Sequence, residues 1–449
     1  MIRALRIALP LALLSTQALA APGDGDLPRR AWLGASLEAV DGGIRVRDVF
    51  PRSSAEAGGL KRGDVLKARD GNPIGSLPQF IRSLKTARTG TKVAFEAERE
   101  GEKVQLAFPL VQWPREEETD AYKVEYGDVT SKAGRLRTIT LVPKAIQGSR
   151  APAVLIMQGL SAVTLDNMPP NLPIDQPVGM AVYRTIAAAM AEAGFVVTRV
   201  DKAGCGDSEG EATQLDFHGE RDGYQNALKA LRARSDVDPE RIILFGHSMG
   251  GIMAPLVAQE DPVRGIAVYG ISLKNWFEYL LENDRRQRQL AGVDLAVIDR
   301  GSRLLERFHH EFLVNKRIPT EITADRPELA AAVAEMGVNG DLVFGRHHTF
   351  FHQLADVNVA EAWSKVNAHV LALWGEAEIV TSRQDHEDLA AYIDARSPGK
   401  GRFQLVPESD HGFGRHKTGK EAIQAGNVPA TFNPAIIGVL KDWSLKISH

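Results

Sequence analysis

The chain has 449 residues, 44% apolar and 25% charged, which is ordinary usage for a globular protein and enough for two or three domains. A formal net charge of −3 argues against nucleic acid as a partner. The single cysteine, Cys205, excludes an intramolecular disulfide, and beyond the first 20 residues no apolar run is long enough to span a bilayer.

Residues 1–20 carry the pattern of a secretory signal. Arg3 and Arg6 form a positive n-region, Ile7 to Leu14 an apolar core, and Ala18-Leu19-Ala20 an A-x-A cleavage site ahead of Ala21. This predicts a secreted protein, and the absence of disulfides points to the bacterial periplasm, with no membrane span left after cleavage. Residues 21–30, rich in Gly, Asp and Pro, read as a linker. Residues 31–112 then read as a small β-rich unit. Ile44 to Val49 alternates, Ser53 to Leu60 is a short helix closed by Gly, and a further strand begins at Gly63-Asp64-Val65-Leu66. Leu77 to Lys85 is an amphipathic helix with Leu77, Phe80, Ile81 and Leu84 on one face, and Val93–Ala97 with Lys103–Phe108 form a hairpin around Glu100-Gly101.

Within that unit, Ser54-Ala55-Glu56-Ala57-Gly58-Gly59-Leu60-Lys61-Arg62-Gly63-Asp64-Val65-Leu66, followed by Asp70-Gly71, resembles the core signature of a PDZ domain. It is most similar to those attached to bacterial periplasmic proteases. The resemblance implies a peptide or protein C-terminus as partner, added as a strand to a sheet edge. It places the carboxylate loop at Trp32-Leu33-Gly34-Ala35 and the groove between residues 35–37 and the helix 77–85.

Residues 113–120, with Pro114 and Glu116-Glu117-Glu118, read as a solvated linker. Tyr122–Asp128 and Arg135–Pro143 read as an antiparallel pair. Ala153–Met157 and Phe195–Val200 read as buried strands, with an Ala-rich helix at 187–193 between them. Alternating strands and helices predict a doubly wound, mostly parallel sheet. The apolar strand Ile242–Phe245 stops at Gly246-His247-Ser248-Met249-Gly250, and a helical run follows at 252–259. A G-x-S-x-G turn between strand and helix is the setting of a nucleophile elbow. Small flanking residues let the chain turn sharply and present Ser248 above a helix N-terminus.

From residue 121 to 449 the chain resembles the α/β-hydrolase fold. The elbow carries the likeness. So does the loop Asp201-Lys202-Ala203-Gly204-Cys205-Gly206-Asp207-Ser208-Glu209-Gly210, similar to one in acyl hydrolases and prolyl-oligopeptidase-like peptidases. Gln158-Gly159, where the family commonly has His-Gly, and a late acid–His pair complete it. The resemblance implies a Ser, acid, His order along the chain. The strand 370–374 ends in Gly375-Glu376-Ala377-Glu378, which matches the family's G-x-x-D loop with Glu in place of Asp. Arg402–Val406 leads into Glu408-Ser409-Asp410-His411-Gly412. The catalytic set is therefore expected to be Ser248, Glu378 and His411, with Glu376, Asp385 and Asp410 as rival acids. The oxyanion donors are expected at the backbone N–H groups of Met249 and Leu160. Cys205, in a Gly-rich loop, reads as structural.

About 100 residues separate the core strands at 269 and 369, which predicts a helical cap inserted at about 272–366. His348 and His352 lie four apart there, but no acidic third ligand stands near them, so no metal site and no cofactor is expected. The sequence thus points to a periplasmic serine hydrolase acting on an ester or related acyl bond of a small-molecule substrate. A prolyl-oligopeptidase-like peptidase and an inactive hydrolase fold serving as a PDZ scaffold stay open as alternatives.

Overall fold

In the computed structural model, residues 27–85, 87–146, 149–162, 164–165, 182–426 and 430–448 are described, and the expected signal peptide at 1–20 lies outside them. The N-terminal sheet runs in the spatial order β1–β2–β3–β4–β5. Its strands are β1 (Ala35–Val40), β2 (Gly43–Val49), β3 (Val65–Arg69), β4 (Lys92–Arg99) and β5 (Glu102–Pro109). Period-two burial explains β4: Val93, Phe95 and Ala97 face the core and the residues between them face water. The β4–β5 hairpin turns at Glu100 and Gly101, both at positive φ (51° and 87°), as a tight two-residue turn requires. Helix α1 (Ser54–Ala57) is capped by Ser53, whose Oγ accepts from the Glu56 N–H at 3.1 Å. Helix α2 (Leu77–Lys85) lies beside β1, the edge strand.

The C-terminal part is built on an eight-stranded sheet. Its strands are β6 (Tyr122–Ser131), β7 (Gly134–Pro143), β8 (Ala151–Met157), β9 (Val196–Val200), β10 (Val237–His247), β11 (Gly265–Tyr269), β12 (His369–Gly375) and β13 (Gly401–Val406). The spatial order is β13–β12–β11–β10–β8–β9–β7–β6, parallel from β13 through β9 and antiparallel at β7 and β6. This is an α/β-hydrolase sheet, as the resemblance implies. Its central strands are apolar on both faces because both faces are covered. Along β8, Ala153, Leu155 and Met157 enter one core and Val154 and Ile156 the other. Helices α3 (Val182–Glu192) and α10 (Ala435–Ser448) cover the second face; α4 (Phe217–Arg232) and α5 (Met249–Glu260) cover the first. The cap falls between β11 and β12, with α6 (Trp276–Leu290), α7 (Leu295–His309) and α8 (His348–Ala355) as its longest helices. Helix α9 (Arg383–Arg396) joins β12 to β13.

The two stretches read as linkers are held in place where they are described. Arg29 pairs with Asp207, and the Arg30 N–H donates to the same carboxylate at 2.9 Å. Trp113 packs on Trp32 with ring centroids 5.7 Å apart, and the Arg30 guanidinium stands 4.0 Å over the Trp113 ring. Glu116 does not follow the expectation of a solvated charge run. Its side chain is 7% exposed and pairs with buried Arg199 through two bonds of 2.6 and 2.9 Å. The reason is a counter-charge that local sequence cannot show, since Arg199 lies on β9, 83 positions away.

Candidate active site

Ser248 sits where β10 ends and α5 begins, at φ 54° and ψ −119°, a conformation strained for any side-chain-bearing residue. The surrounding glycines make the turn possible. A Cβ on Gly246 would stand 2.6 Å from the Gly251 Cα, and one on Gly250 would stand 2.2 Å from the Met157 carbonyl oxygen. The backbone is pinned by the Ser248 N–H donating to the Tyr269 carbonyl at 2.8 Å.

Three strand ends converge on this serine. His411, in the loop after β13, has Nε2 3.0 Å from the Ser248 Oγ and Nδ1 2.7 Å from a Glu378 oxygen. Glu378, in the loop after β12, is 3% exposed, and its other oxygen accepts from the Val380 and Thr381 N–H groups at 2.6 and 3.2 Å. Burial by itself would raise the Glu378 carboxyl. The neighbouring His411 and the hydrogen bonds outweigh it and hold the group below the usual carboxylate range. The converse holds for His411: burial pushes it down, but Glu378 raises it above an ordinary imidazole. The rival acids are engaged elsewhere. Glu376 accepts from the Glu408 N–H, Asp385 pairs with Lys274, and Asp410 accepts from the N–H groups of Gly412 and Gly414 and pairs with His416.

The two expected oxyanion donors line the same cavity, and neither the Met249 nor the Leu160 N–H meets an acceptor among the described residues. Gly159 stands close to the serine, since a Cβ there would lie 3.4 Å from the Ser248 Cβ. Its own N–H is taken by the Tyr183 hydroxyl at 2.9 Å. That hydroxyl in turn meets His247 Nδ1 at 2.7 Å, and His247 Nε2 meets the His411 carbonyl at 2.8 Å. A carbonyl can only accept, so Nε2 carries the proton and Nδ1 accepts from Tyr183. Burial, and then the charge of His411, depress His247 to about 3, so it stays neutral in this role. This chain ties the loop of Gly159 to the loop of His411. Sequence reasoning missed Tyr183 and His247 as positioning groups, although His247 stood in plain view inside the elbow pentapeptide.

The cavity has a volume of about 380 Å³. Leu160, Met249, Ile252, Trp276, Tyr279 and Val380 supply most of its apolar wall, Trp276 and Tyr279 coming from the first turns of α6 in the cap. Those two rings stand 4.7 Å apart, and Trp276 also stacks on Phe351. Cys205 is buried away from that wall, in keeping with a structural residue. His348 and His352 fall on α8, where His352 packs on Phe312, and neither lines the cavity. Among the described residues no group of three or more His, Cys, Asp and Glu is placed to hold a metal ion, and no helix is long and apolar enough to cross a membrane.

The peptide site expected in the N-terminal unit takes a different form. Gly34 has φ 73°, and a Cβ there would stand 2.1 Å from the Ser53 Cβ, so the loop before β1 accepts only glycine at this point. The Leu33 and Gly34 carbonyls accept from the Ala55 and Phe50 N–H groups at 2.8 and 2.9 Å. Ala35 opens β1, the edge strand, and α2 lies beside that strand.

Such a sheet, with a serine at a strand–helix elbow, a cap and a preceding PDZ unit, defines a protein of the α/β-hydrolase fold. The sequence model of the serine aminopeptidase S33 family matches residues 179–414, more than half of the chain, and the chain belongs to that family. A PDZ domain model matches residues 31–110. Over 87 residues the chain is 38% identical to "Uncharacterized protein YfhR" of Escherichia coli O157:H7, covering 19% of this chain and 30% of that protein. Over 110 residues it is 29% identical to "Probable periplasmic serine endoprotease DegP-like" of Chlamydia trachomatis, covering 22% of each. The chain thus spans less than a third of the length of these curated relatives. Among solved structures, Est1E from Butyrivibrio proteoclasticus is 12% identical, with 72% of this chain and 98% of that one covered at a TM-score of 0.42.

Proposed function

We propose that the protein hydrolyses an ester or related acyl bond through Ser248, His411 and Glu378. The observation that carries the reading is the unbroken line Glu378–His411–Ser248, at 2.7 and 3.0 Å, ending on a serine held at φ 54°. His411 Nε2 takes the proton of the Ser248 hydroxyl as Oγ bonds to the acyl carbon. Glu378 stabilises the imidazolium and fixes its orientation. The negative oxygen of the tetrahedral intermediate is received by the N–H groups of Met249 and Leu160. His411 then protonates the leaving alcohol, and water, deprotonated by the same imidazole, releases the acid and restores the serine.

An apolar wall suits a neutral acyl group. A peptidase working from a free N-terminus would need an anion to hold the ammonium, and no Asp or Glu lines the cavity among the described residues. The PDZ unit would hold an extended peptide, or a partner's C-terminus, at Leu33, Gly34 and Ala35. The signal pattern of residues 1–20, together with the partial likeness to a protein described as periplasmic, supports a periplasmic site of action.

The test is a turnover panel. The protein is expected to cleave p-nitrophenyl butyrate, and Ser248→Ala to lose at least about four orders of magnitude of that rate. Faster cleavage of aminoacyl p-nitroanilides than of any ester would transfer the enzyme to the peptidases. An inert protein would leave a PDZ scaffold.

A further inference from the structure

We infer that Lys202 is a positioning residue of the oxyanion hole: its buried ammonium donates to the Gly159 carbonyl and so fixes and polarises the peptide unit whose N–H, on Leu160, receives the oxyanion. The inference rests on the reading of Ser248 and Leu160 given above.

The Gly159 carbonyl and the Leu160 N–H belong to one planar, conjugated amide. A cation bonded to the oxygen draws electron density from the nitrogen, and the N–H becomes a stronger donor, as in any cooperative hydrogen-bond chain in a low-dielectric interior. Lys202 Nζ donates to the Gly159 oxygen and also reaches the Leu160 oxygen at 3.2 Å. Arg346, from the cap, donates to the Leu160 oxygen at 2.9 Å. The peptide units on both sides of the Leu160 Cα are therefore gripped from behind by fixed positive charge, one cation from the end of β9 and one from the cap.

The burial of these groups is what asks for such a role. The side chains of Lys202, Glu220 and Arg346 are 1%, 2% and 1% exposed, with Glu220 2.8 Å from Lys202 and 2.6 Å from Arg346. Buried ion pairs are weak sources of stability, and apolar replacements of similar volume are often neutral or better. Here Glu220 offsets two cations that both direct hydrogen bonds at the oxyanion loop. Among the described residues, the charged and titratable groups near Lys202 include Glu220 on α4, Arg346 in the cap, Cys205 in its own loop and His247 across the site, with Asp201 and Tyr224 lining the same small pocket. Burial dominates their sum and, with Arg346, lowers Lys202 to about 8 against the pull of Glu220.

Two readouts then separate positioning from mere support. As pH rises above about 8 the native chain gives up this proton and the polarising charge is lost, so turnover falls. Over about 8 to 10.5 the unfolded chain still holds the proton, so this group's contribution to stability rises with pH. Activity and stability move in opposite directions.

The experiment compares wild type, Lys202→Gln and Lys202→Met in turnover of p-nitrophenyl butyrate and in inhibition by an alkyl trifluoromethyl ketone, which forms an oxyanion on the serine. Glu220 keeps Arg346 in both variants. Removing an oxyanion donor outright costs roughly 10²–10³ in kcat; with the donor kept but unpolarised, Lys202→Met is expected to lose about tenfold to a hundredfold in kcat. KM should hold within about twofold, the ketone should weaken by the same factor as kcat, and Lys202→Gln should fall between. If the Met variant fails to fold, the Gln variant and the wild-type alkaline limb carry the test. Equal kcat and equal ketone affinity in wild type and variant would overturn the inference alone. A wild type silent toward both ester and ketone would overturn it together with the reading it rests on.

Discussion

The two candidate binding sites of this chain, one proposed at the PDZ unit and one under the cap, are built by opposite means. The hydrolase cavity gathers side chains from strand ends far apart in sequence, and each is fixed by partners behind it: Ser248 by its glycines, Glu378 by two backbone N–H groups, His411 by Glu378 and by His247. The PDZ groove offers a main-chain edge and one obligatory glycine, Gly34. A side-chain site fails when one functional group changes. A main-chain site tolerates most substitutions and fails only where geometry does. The two are also joined: Arg29, four residues before Leu33, is clamped on Asp207, in the same loop that carries Lys202.

The largest effect that sharpens this contrast is expected at Glu378. Glu378→Gln should cut kcat by roughly 10³–10⁴ with little change in melting temperature, whereas Asp385→Asn and Asp410→Asn should do far less. The sign of its pH effect follows from the geometry. His411 must be neutral to accept the serine proton, and Glu378 raises it, so wild-type turnover climbs with pH through that raised value. In Glu378→Gln the cause is gone, and the residual acid limb should move to lower pH. An unmoved limb would separate His411 from Glu378.

A middling effect is expected at the junction. Glu116→Ala takes the bidentate carboxylate from buried Arg199, and should destabilise the protein by about 3 kcal/mol in chemical denaturation. A truncated chain beginning at Arg115 should likewise outlast one beginning at Glu118. Equal stability of the two would make the stretch 113–120 the passive linker that its composition suggests.

The smallest effect on catalysis is expected at Gly34. Gly34→Ala forces a Cβ against Ser53 at φ 73° and should weaken binding of a fluorescent peptide with a free C-terminus about tenfold. Turnover of p-nitrophenyl butyrate should stay within about twofold. A large loss of turnover would mean that the PDZ loop governs the distant cavity.

How much of the molecule is legible in its sequence follows the same division. The elbow is local: a strand, two glycines around a serine and a helix lie within about twenty residues, and steric necessity writes them into sequence. The cap announces itself by length, and Glu378 and His411 by their places after apolar strands. Lys202 and Glu220 were not legible as a pair. Each reads as an ordinary loop or helix charge until folding brings them within 2.8 Å of each other and adds Arg346 from the cap. Tyr183 and His247, 64 positions apart, are likewise joined only by the sheet, and the protonation of His247 is fixed by a carbonyl that no motif displays. Glu116 reads as solvated in a charge run because its counter-ion, Arg199, lies 83 positions away.

The central claim, that Ser248 is a nucleophile driven by His411, is tested most directly by mapping a fluorophosphonate adduct on the intact protein by mass spectrometry. One adduct on Ser248 is predicted, formed rapidly in wild type, absent in Ser248→Ala and slowed by several orders of magnitude in His411→Ala. An adduct on any other residue, or labelling of Ser248 at an undiminished rate in His411→Ala, would contradict it.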